Sequence, residues 1–267
     1  MGNKVFLILA AHADDTEFMA GGAVARFVKE GWDVHEVIAT NNERGSFELD
    51  PQKLIHDSEK DAREAARILG KCGVIFLGYP DGMLSDTPIN KLREQFIRLI
   101  RVYRPEAVMT WDYWAPFEPH PDHRAVAQAA IEALSFSHFP LFHPEHAREG
   151  LKPHLAVDRY FFAKDSKLCN TVIDITEFID IKIRALLAHD SQMKLTVDEL
   201  KENLKAMGAT DDMLAKMDRN NYGPLVEIMM KIYSAEIGKK AGHAFGEEFR
   251  FERAGGEIAQ AAMKMLA

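Results

Sequence analysis

Val5-Phe6-Leu7-Ile8-Leu9-Ala10-Ala11-His12-Ala13-Asp14-Asp15-Thr16-Glu17 reads as a buried strand that runs straight into metal-capable side chains. Val5 to Ala10 is apolar at every position and leaves no polar face, the pattern of a parallel strand covered on both sides. His12 and the aspartates therefore emerge at the strand's carboxyl end, where open α/β sheets place ligands. Further along, Pro119-His120-Pro121-Asp122-His123 adds two imidazoles and a carboxylate. These nitrogen and oxygen donors suit a catalytic zinc with an open coordination position. Either stretch alone has an ordinary reading: turn chemistry for the first, a helix start with Pro121 in its first turn and Asp122 as cap for the second. Their co-occurrence after strand-like segments points to a metal.

Strand and helix signals alternate from there. Glu17 to Glu30 has helical spacing with Phe18, Ala23, Phe27 and Val28 near one face, and Gly31 stops it. Val34 to Ala39 reads as a second strand and leads into the polar loop Thr40 to Ser46. Pro51 opens a helix reaching Gly70, with Ile55, Ala62, Ala65, Ala66 and Leu69 turned inward. Val74 to Leu77 is a third strand followed by Gly78-Tyr79-Pro80-Asp81-Gly82, and Lys91 to Tyr103 a further amphipathic helix. Ala107 to Thr110 is a fourth strand, and the aromatic loop Trp111 to Pro119 delivers His120. Such alternation predicts a Rossmann-like α/β fold, a mostly parallel sheet with helices on both faces.

Beyond Ala133 the pattern loosens. His138, His143, His146 and His154 lie among prolines and phenylalanines in a rim loop, at spacings that match no metal template. Arg159 to Ala163 and Thr171 to Ile175 read as strands, Glu177 to His189 as a helix, and Val197 to Lys240 as Met-rich helix broken at Gly208 and Gly223-Pro224. The expected division is a catalytic domain over 1–195 and a helical C-terminal extension over 196–267, packed on the same domain.

Composition narrows the function classes. A chain of 267 residues with 47% hydrophobic and 28% charged residues is an ordinary globular protein, and a net charge of −8 argues against nucleic-acid binding. Cys72 and Cys169 are too few for a disulfide framework, so both are expected as small buried residues in a reducing cytoplasm. The N-terminal apolar run is too short to span a membrane and no cleavage signal follows it.

Ala-His-x-Asp-Asp-x-Glu followed by His-Pro-Asp-His resembles the signature of the LmbE-like, or PIG-L-type, zinc deacetylases, which remove N-acetyl groups from glucosamine derivatives. Thr40 to Ser46, Arg63-Glu64-Ala65, Gly78 to Gly82, His189-Asp190-Ser191-Gln192 and Gly242 to Arg250 resemble further segments of that family. Ala13 stands where many members have Pro; a small residue keeps the turn open. The resemblance implies His12, Asp15 and His123 as zinc ligands, leaving another divalent metal open, with Asp14 as the base that takes the proton of water. It implies His120 as the group that stabilises the oxyanion or donates to the departing amine, and Asp122 as a carboxylate that orients one of the histidines. Glu43, Arg44, Arg63 and Asp81 match positions that contact sugar hydroxyls or support the metal. The division of labour is chemically sound, because a carboxylate committed to zinc is a poor base.

The expected function is zinc-dependent removal of the N-acetyl group from an N-acetylglucosamine derivative. The expected partner is a small-molecule sugar, with neither nucleic acid nor membrane and with homo-oligomerisation left open. The residue chemistry by itself supports metal-assisted amide hydrolysis, so a zinc amidohydrolase of a non-sugar N-acyl compound is the alternative within enzymes. A metal-free sugar- or nucleotide-binding module is the alternative outside them. Intact donor residues count against it, and no Gly-x-Gly-x-x-Gly follows the first strand.

Overall fold

A computed structural model describes residues 3–47 and 50–266. Along the chain run β1 (Val5–Ala10), α1 (Asp15–Lys29), β2 (Asp33–Thr40), α2 (Pro51–Leu69), β3 (Gly73–Tyr79), α3 (Ile89–Tyr103), β4 (Ala107–Trp111) and α4 (Pro121–Phe136). There follow α5 (Glu145–Arg148), β5 (Asp158–Phe162), β6 (Thr171–Asp174), α6 (Ile179–Leu186), α7 (Asp190–Ala206), α8 (Asp211–Leu214), α9 (Gly223–Lys239), β7 (Gly246–Arg253) and α10 (Gly256–Leu266). One sheet takes the order β3-β2-β1-β4-β5-β7-β6. The first five strands in that order are parallel, and β7 runs antiparallel to both β5 and β6.

The chain moves outward from β1 through β2 to β3, then returns to place β4 on the other side of β1. Right-handed crossovers therefore put α1 and α2 on one face and α3 and α4 on the other. The contacts agree: α1 packs on α2 and α6, and α3 on α4. Phe6, Leu7, Ile8 and Leu9 are at most 1% exposed, as a strand covered on both faces requires. The reversal of direction between β1 and β4 is the switch point at which doubly wound sheets open a crevice.

A second apolar seam joins Ile175, Ile179, Ile183, Leu186, Met193, Val226 and Met230, and it seats α7 and α9 on α6. Gly22 lets this layer close on α1, because a Cβ there would lie 2.7 Å from the Ile175 side chain. Among the described residues no helix is long and apolar enough to cross a membrane.

Three expectations change in detail. Residues 246–253, expected to be helical, form β7, which lies inside the sheet, so the C-terminal stretch supplies a strand as well as helices. On α2 the buried face includes Leu54 and Ser58, with Ile55 only partly covered. Both cysteines are free, but Cys72 is exposed and Cys169 half-buried, so neither is a core residue.

Candidate active site

The β1–α1 and β4–α4 connections meet at the carboxyl edge of the sheet, on either side of the switch point. His12 Nδ1 lies 3.1 Å from His123 Nε2 and 3.7 Å from Asp15 Oδ1, and His123 Nε2 lies 3.3 Å from the same oxygen. Ligand atoms bound at about 2.0–2.1 Å around a tetrahedral ion stand roughly 3.3–3.4 Å apart, so these three atoms fit one zinc-sized cation. The electrostatics ask for one. Burial alone would lower the His12 pKa, yet hydrogen bonds to Asp122, Asp15 and Asp81 push it well above 6.5. Burial would raise Asp15, but the facing imidazoles of His123 and His12 hold it well below the usual carboxylate range.

Each donor is fixed from behind. Asp15 Oδ2 accepts from the backbone of Ala11 at 2.8 Å, the backbone of His12 at 2.9 Å and the Trp111 indole at 2.8 Å. That oxygen is saturated, which leaves Oδ1 as the one to face a cation. His12 Nε2 is 3.3 Å from both Asp81 Oδ1 and Asp122 Oδ2, and His123 Nδ1 is 3.0 Å from Glu118 Oε1. Such carboxylates behind ligating imidazoles fix the tautomer and raise the basicity of the free nitrogen. Asp122 also accepts from Gly82 N at 2.6 Å and Leu84 N at 3.0 Å, tying the loop after β3 to the start of α4. Trp111 stacks on His123 with ring centroids 3.8 Å apart.

Asp14 occupies the N-cap position of α1 but makes no side-chain capping bond, and its carboxylate faces the same cavity as the donors. Burial pushes its pKa up, and the neighbouring Asp15 charge adds to the rise. His120 Nδ1 accepts the Asp122 backbone N–H at 3.2 Å, so a neutral ring carries its proton on Nε2. Burial, together with the nearby His12 and His123, lowers its pKa to about 4.

Residues 7–134 match the profile of the GlcNAc-PI de-N-acetylase (PIG-L) family. Over that span the chain resembles the PIG-L family. It is 29% identical over 252 residues to a diacetylchitobiose deacetylase of Thermococcus kodakarensis, covering 93% of this chain and 83% of that protein. A 1D-myo-inositol 2-acetamido-2-deoxy-α-D-glucopyranoside deacetylase of Mycobacteroides abscessus is 27% identical, over 74% of this chain and 85% of its own length. Among solved structures, the N,N'-diacetylchitobiose deacetylase of Pyrococcus horikoshii superposes with a TM-score of 0.75 at 26% identity, covering 93% of this chain and 83% of that one.

Against the PIG-L resemblance, the structure brings His12, Asp14, Asp15, Asp81, His120, His123 and Arg44 to one cavity of about 750 Å³. Arg44 is held there by its backbone N–H and guanidinium, both bonded to Asp81. Glu43 is turned aside onto Asn41. Arg63 does not reach the cavity: its side chain is 60% exposed on α2, with the guanidinium over the Phe76 ring and Glu59 one turn away. The expected sugar contact of Arg63 is therefore absent from this arrangement.

Among the rim histidines, His143 and His146 stand with Glu145 as a second group of donor atoms within 4.8 Å of one another. His146 is buried between Arg101 and Glu94, at 3.0 and 2.7 Å, and His154 bonds the Pro105 carbonyl. Arg101 in turn donates to the carbonyls of Ser137, Phe139, Phe142 and His143, so the loop is organised around a buried guanidinium.

Sequence reasoning missed several members of the site. Trp111 closes β4 and Glu118 lies in the loop that follows it, and their position just ahead of His120 was the available signal. Lys71 is fully buried, donating to Glu17 and Glu36 at 2.7 Å each, and His189 Nε2 approaches Glu17 at 3.4 Å. Burial would raise Glu17, but Lys71 holds it down at about 2. Nothing local in the sequence distinguishes that lysine from a surface one.

Proposed function

We propose that this chain is a cytoplasmic zinc-dependent N-deacetylase that releases acetate from an N-acetylglucosamine derivative. The observation that carries the reading is the set of three donor atoms 3.1–3.7 Å apart, with an uncommitted carboxylate, Asp14, in the same cavity. The relatives' activities on acetylated glucosamine conjugates support the substrate class.

His12, Asp15 and His123 are the residues that would hold the ion, which when bound polarises the acetamide carbonyl and lowers the pKa of its water to about 7. Asp14 takes the proton of the attacking water and returns it to the departing amine nitrogen, a role suited to a carboxyl whose pKa lies above the ordinary value. His120 donates from Nε2 to the carbonyl oxygen as negative charge develops there. Asp81 and Asp122 keep His12 in the orientation that frees Nδ1. The decisive experiment is metal analysis of the purified chain with acetate release measured on a panel of N-acetylated sugars. Stoichiometric zinc and release from at least one sugar are expected. Zinc without release from any sugar would transfer the reading to a non-sugar N-acyl amide, and absence of metal after reconstitution would sink it.

A further inference from the structure

Both ends of the connection from β4 to α4 line the cavity: Trp111 closes the strand and His120 precedes the helix. Residues 112–119 therefore leave the cavity wall and return to it. Trp114 is three residues beyond Trp111 and Phe117 three before His120, which keeps each within about 11 Å of a cavity-lining residue even in a fully extended chain. Both rings are open to solvent, Trp114 being 60% exposed and Phe117 83%. Phe117 also holds φ at 62°, a left-handed backbone that bulky residues rarely adopt and that persists only where the surroundings enforce it.

The loop is braced at both ends. Asp112 is buried against Arg250 of β7, whose Nε and Nη2 donate to it at 2.7 and 2.9 Å, and it accepts the Trp114 backbone N–H at 3.0 Å. At the other end Glu118 Oε1 accepts the His120 backbone N–H at 3.0 Å and stands 3.0 Å from His123 Nδ1. Tyr113 packs its ring at 74° to that of Trp114, with centroids 4.7 Å apart. Exposed aromatic surface held in place beside a cleft marks a contact for a ligand. Two exposed lysines flank it, Lys164 with Nζ 5.8 Å from the Trp111 centroid and Lys167 with Nζ 4.8 Å from that of Phe117. Each ammonium carries several N–H donors and faces one carboxylate, Glu118 at 3.5 Å and Asp165 at 3.4 Å, which leaves donors for hydroxyl groups.

A pyranose of gluco configuration turns axial C–H groups to both of its faces and hydroxyls to its edge. Its faces match the negative face of an aromatic ring, and its edge matches donors placed beside that ring. A protein partner fits less well, because a stable interface needs about 800 Å² from each side, and these rings stand among charged residues on one short loop. We infer that Trp114 and Phe117 form a stacking platform, outside the cavity, for a second gluco-configured pyranose linked to the N-acetylglucosamine whose acetamide enters the donor cluster. This inference rests on the reading of that cluster as a sugar N-deacetylase. It goes beyond that reading by naming what is attached to the sugar and which residues hold it.

The test measures acetate release by the zinc-loaded chain from N-acetylglucosamine, N,N'-diacetylchitobiose and N,N',N''-triacetylchitotriose, beside calorimetric binding of the trisaccharide to the metal-free chain. The kcat/KM should rise about tenfold from the monosaccharide to the longer sugars, the equivalent of one stacked ring. Trp114→Ala should reduce that ratio several-fold, through KM more than kcat, and weaken trisaccharide binding by a similar factor. Trp114→Phe, which keeps a ring, should restore most of both, and Phe117→Ala should act in the same direction as Trp114→Ala but less. Because the kinetic readout is a ratio on one preparation, a partly unfolded variant does not imitate it. Equal kcat/KM for all three sugars, or a rise that neither alanine variant reduces, would overturn the platform while leaving the deacetylase reading intact. A smaller assembly of Trp114→Ala on size exclusion would assign the rings to a contact between copies of the chain and overturn the platform as well. Trisaccharide binding that depends on Trp114, without acetate from any sugar, would keep the platform and overturn the deacetylase reading. Neither binding nor release would overturn both.

Discussion

The two sides of the cavity are built by opposite rules. On the sheet side, each of the three donors is held by at least one partner behind it. Asp15 has three donors on one oxygen, His12 two carboxylates, His123 a carboxylate and a stacked indole. On the helical side, α7 and α9 are seated by an apolar seam on α6 and by packing of α9 against β6 and β7, and they leave apolar surface such as Met229 and Ile232 exposed. Chemistry that depends on atoms within a few tenths of an ångström needs the first kind of construction. The helical side lines the cavity with apolar and polar side chains together, Leu195 and Met230 beside Gln192, Thr196 and Glu199.

The largest expected effect lies at the most constrained point. His123→Ala removes one of three donors and the stacking partner of Trp111, so zinc content and turnover should fall together, turnover to background. Asp14→Asn tests the same side differently. It fills the same space and leaves all three donors, so metal should stay bound while kcat drops by something like 10²- to 10⁴-fold. Elemental analysis beside steady-state kinetics checks both. Zinc lost from Asp14→Asn would mean that the neighbouring aspartates exchange roles, and the contrast between a donor and a proton carrier would collapse.

The next effect concerns the charges beneath the sheet edge. Lys71→Met leaves Glu17 and Glu36 buried against each other without their cation, which should cost on the order of 3–5 kcal/mol in urea unfolding. Glu17 contributes a pH dependence opposite in sign to that of Glu36, whose carboxyl burial pushes up. A carboxyl whose folded pKa is depressed from 4.5 to about 2 stabilises the fold above about pH 4.5, and that contribution is lost as pH falls toward 2. Acid titration of wild type should therefore show a decline in stability across that window that Glu17→Gln flattens. An unchanged acid profile would mean that Lys71 does not hold Glu17 ionised.

This contrast also explains what was legible before the structure. Most strands, the helices between them and the metal-capable side chains could be read because each is encoded locally: an apolar run, a Gly stop, a His beside an Asp at a strand end. Asp122 was readable as a supporting carboxylate for the same reason. Lys71, Glu118 and Trp111 were not, because their roles come from neighbours distant in sequence that only the folded sheet brings near. Arg63 failed in the other direction. Its local motif suggested a site residue, but the phase of α2 turns it toward solvent and the Phe76 ring. β7 was missed because Gly246 to Arg253 is mostly charged and follows a long helical stretch, and its partners, β5 and β6, precede it by many residues.

The smallest predicted effect is on the outer face of the helical side. Ile232 is 61% exposed on α9, whereas Val226 and Met230 on the same helix are 4% and 9% exposed and belong to the seam. Because Ile232 points away from the residues that seat α9, Ile232→Ser removes no buried contact. Stability should then change by less than about 0.5 kcal/mol, with zinc content unaltered. The same substitution should leave the elution volume of the chain unchanged on size exclusion. A clear loss of stability, or a shift in elution, would mean that the outer face of α9 is covered in solution by another copy of the chain. The helical side would then be as constrained as the sheet side, and the difference drawn between the two would fail where it is easiest to measure.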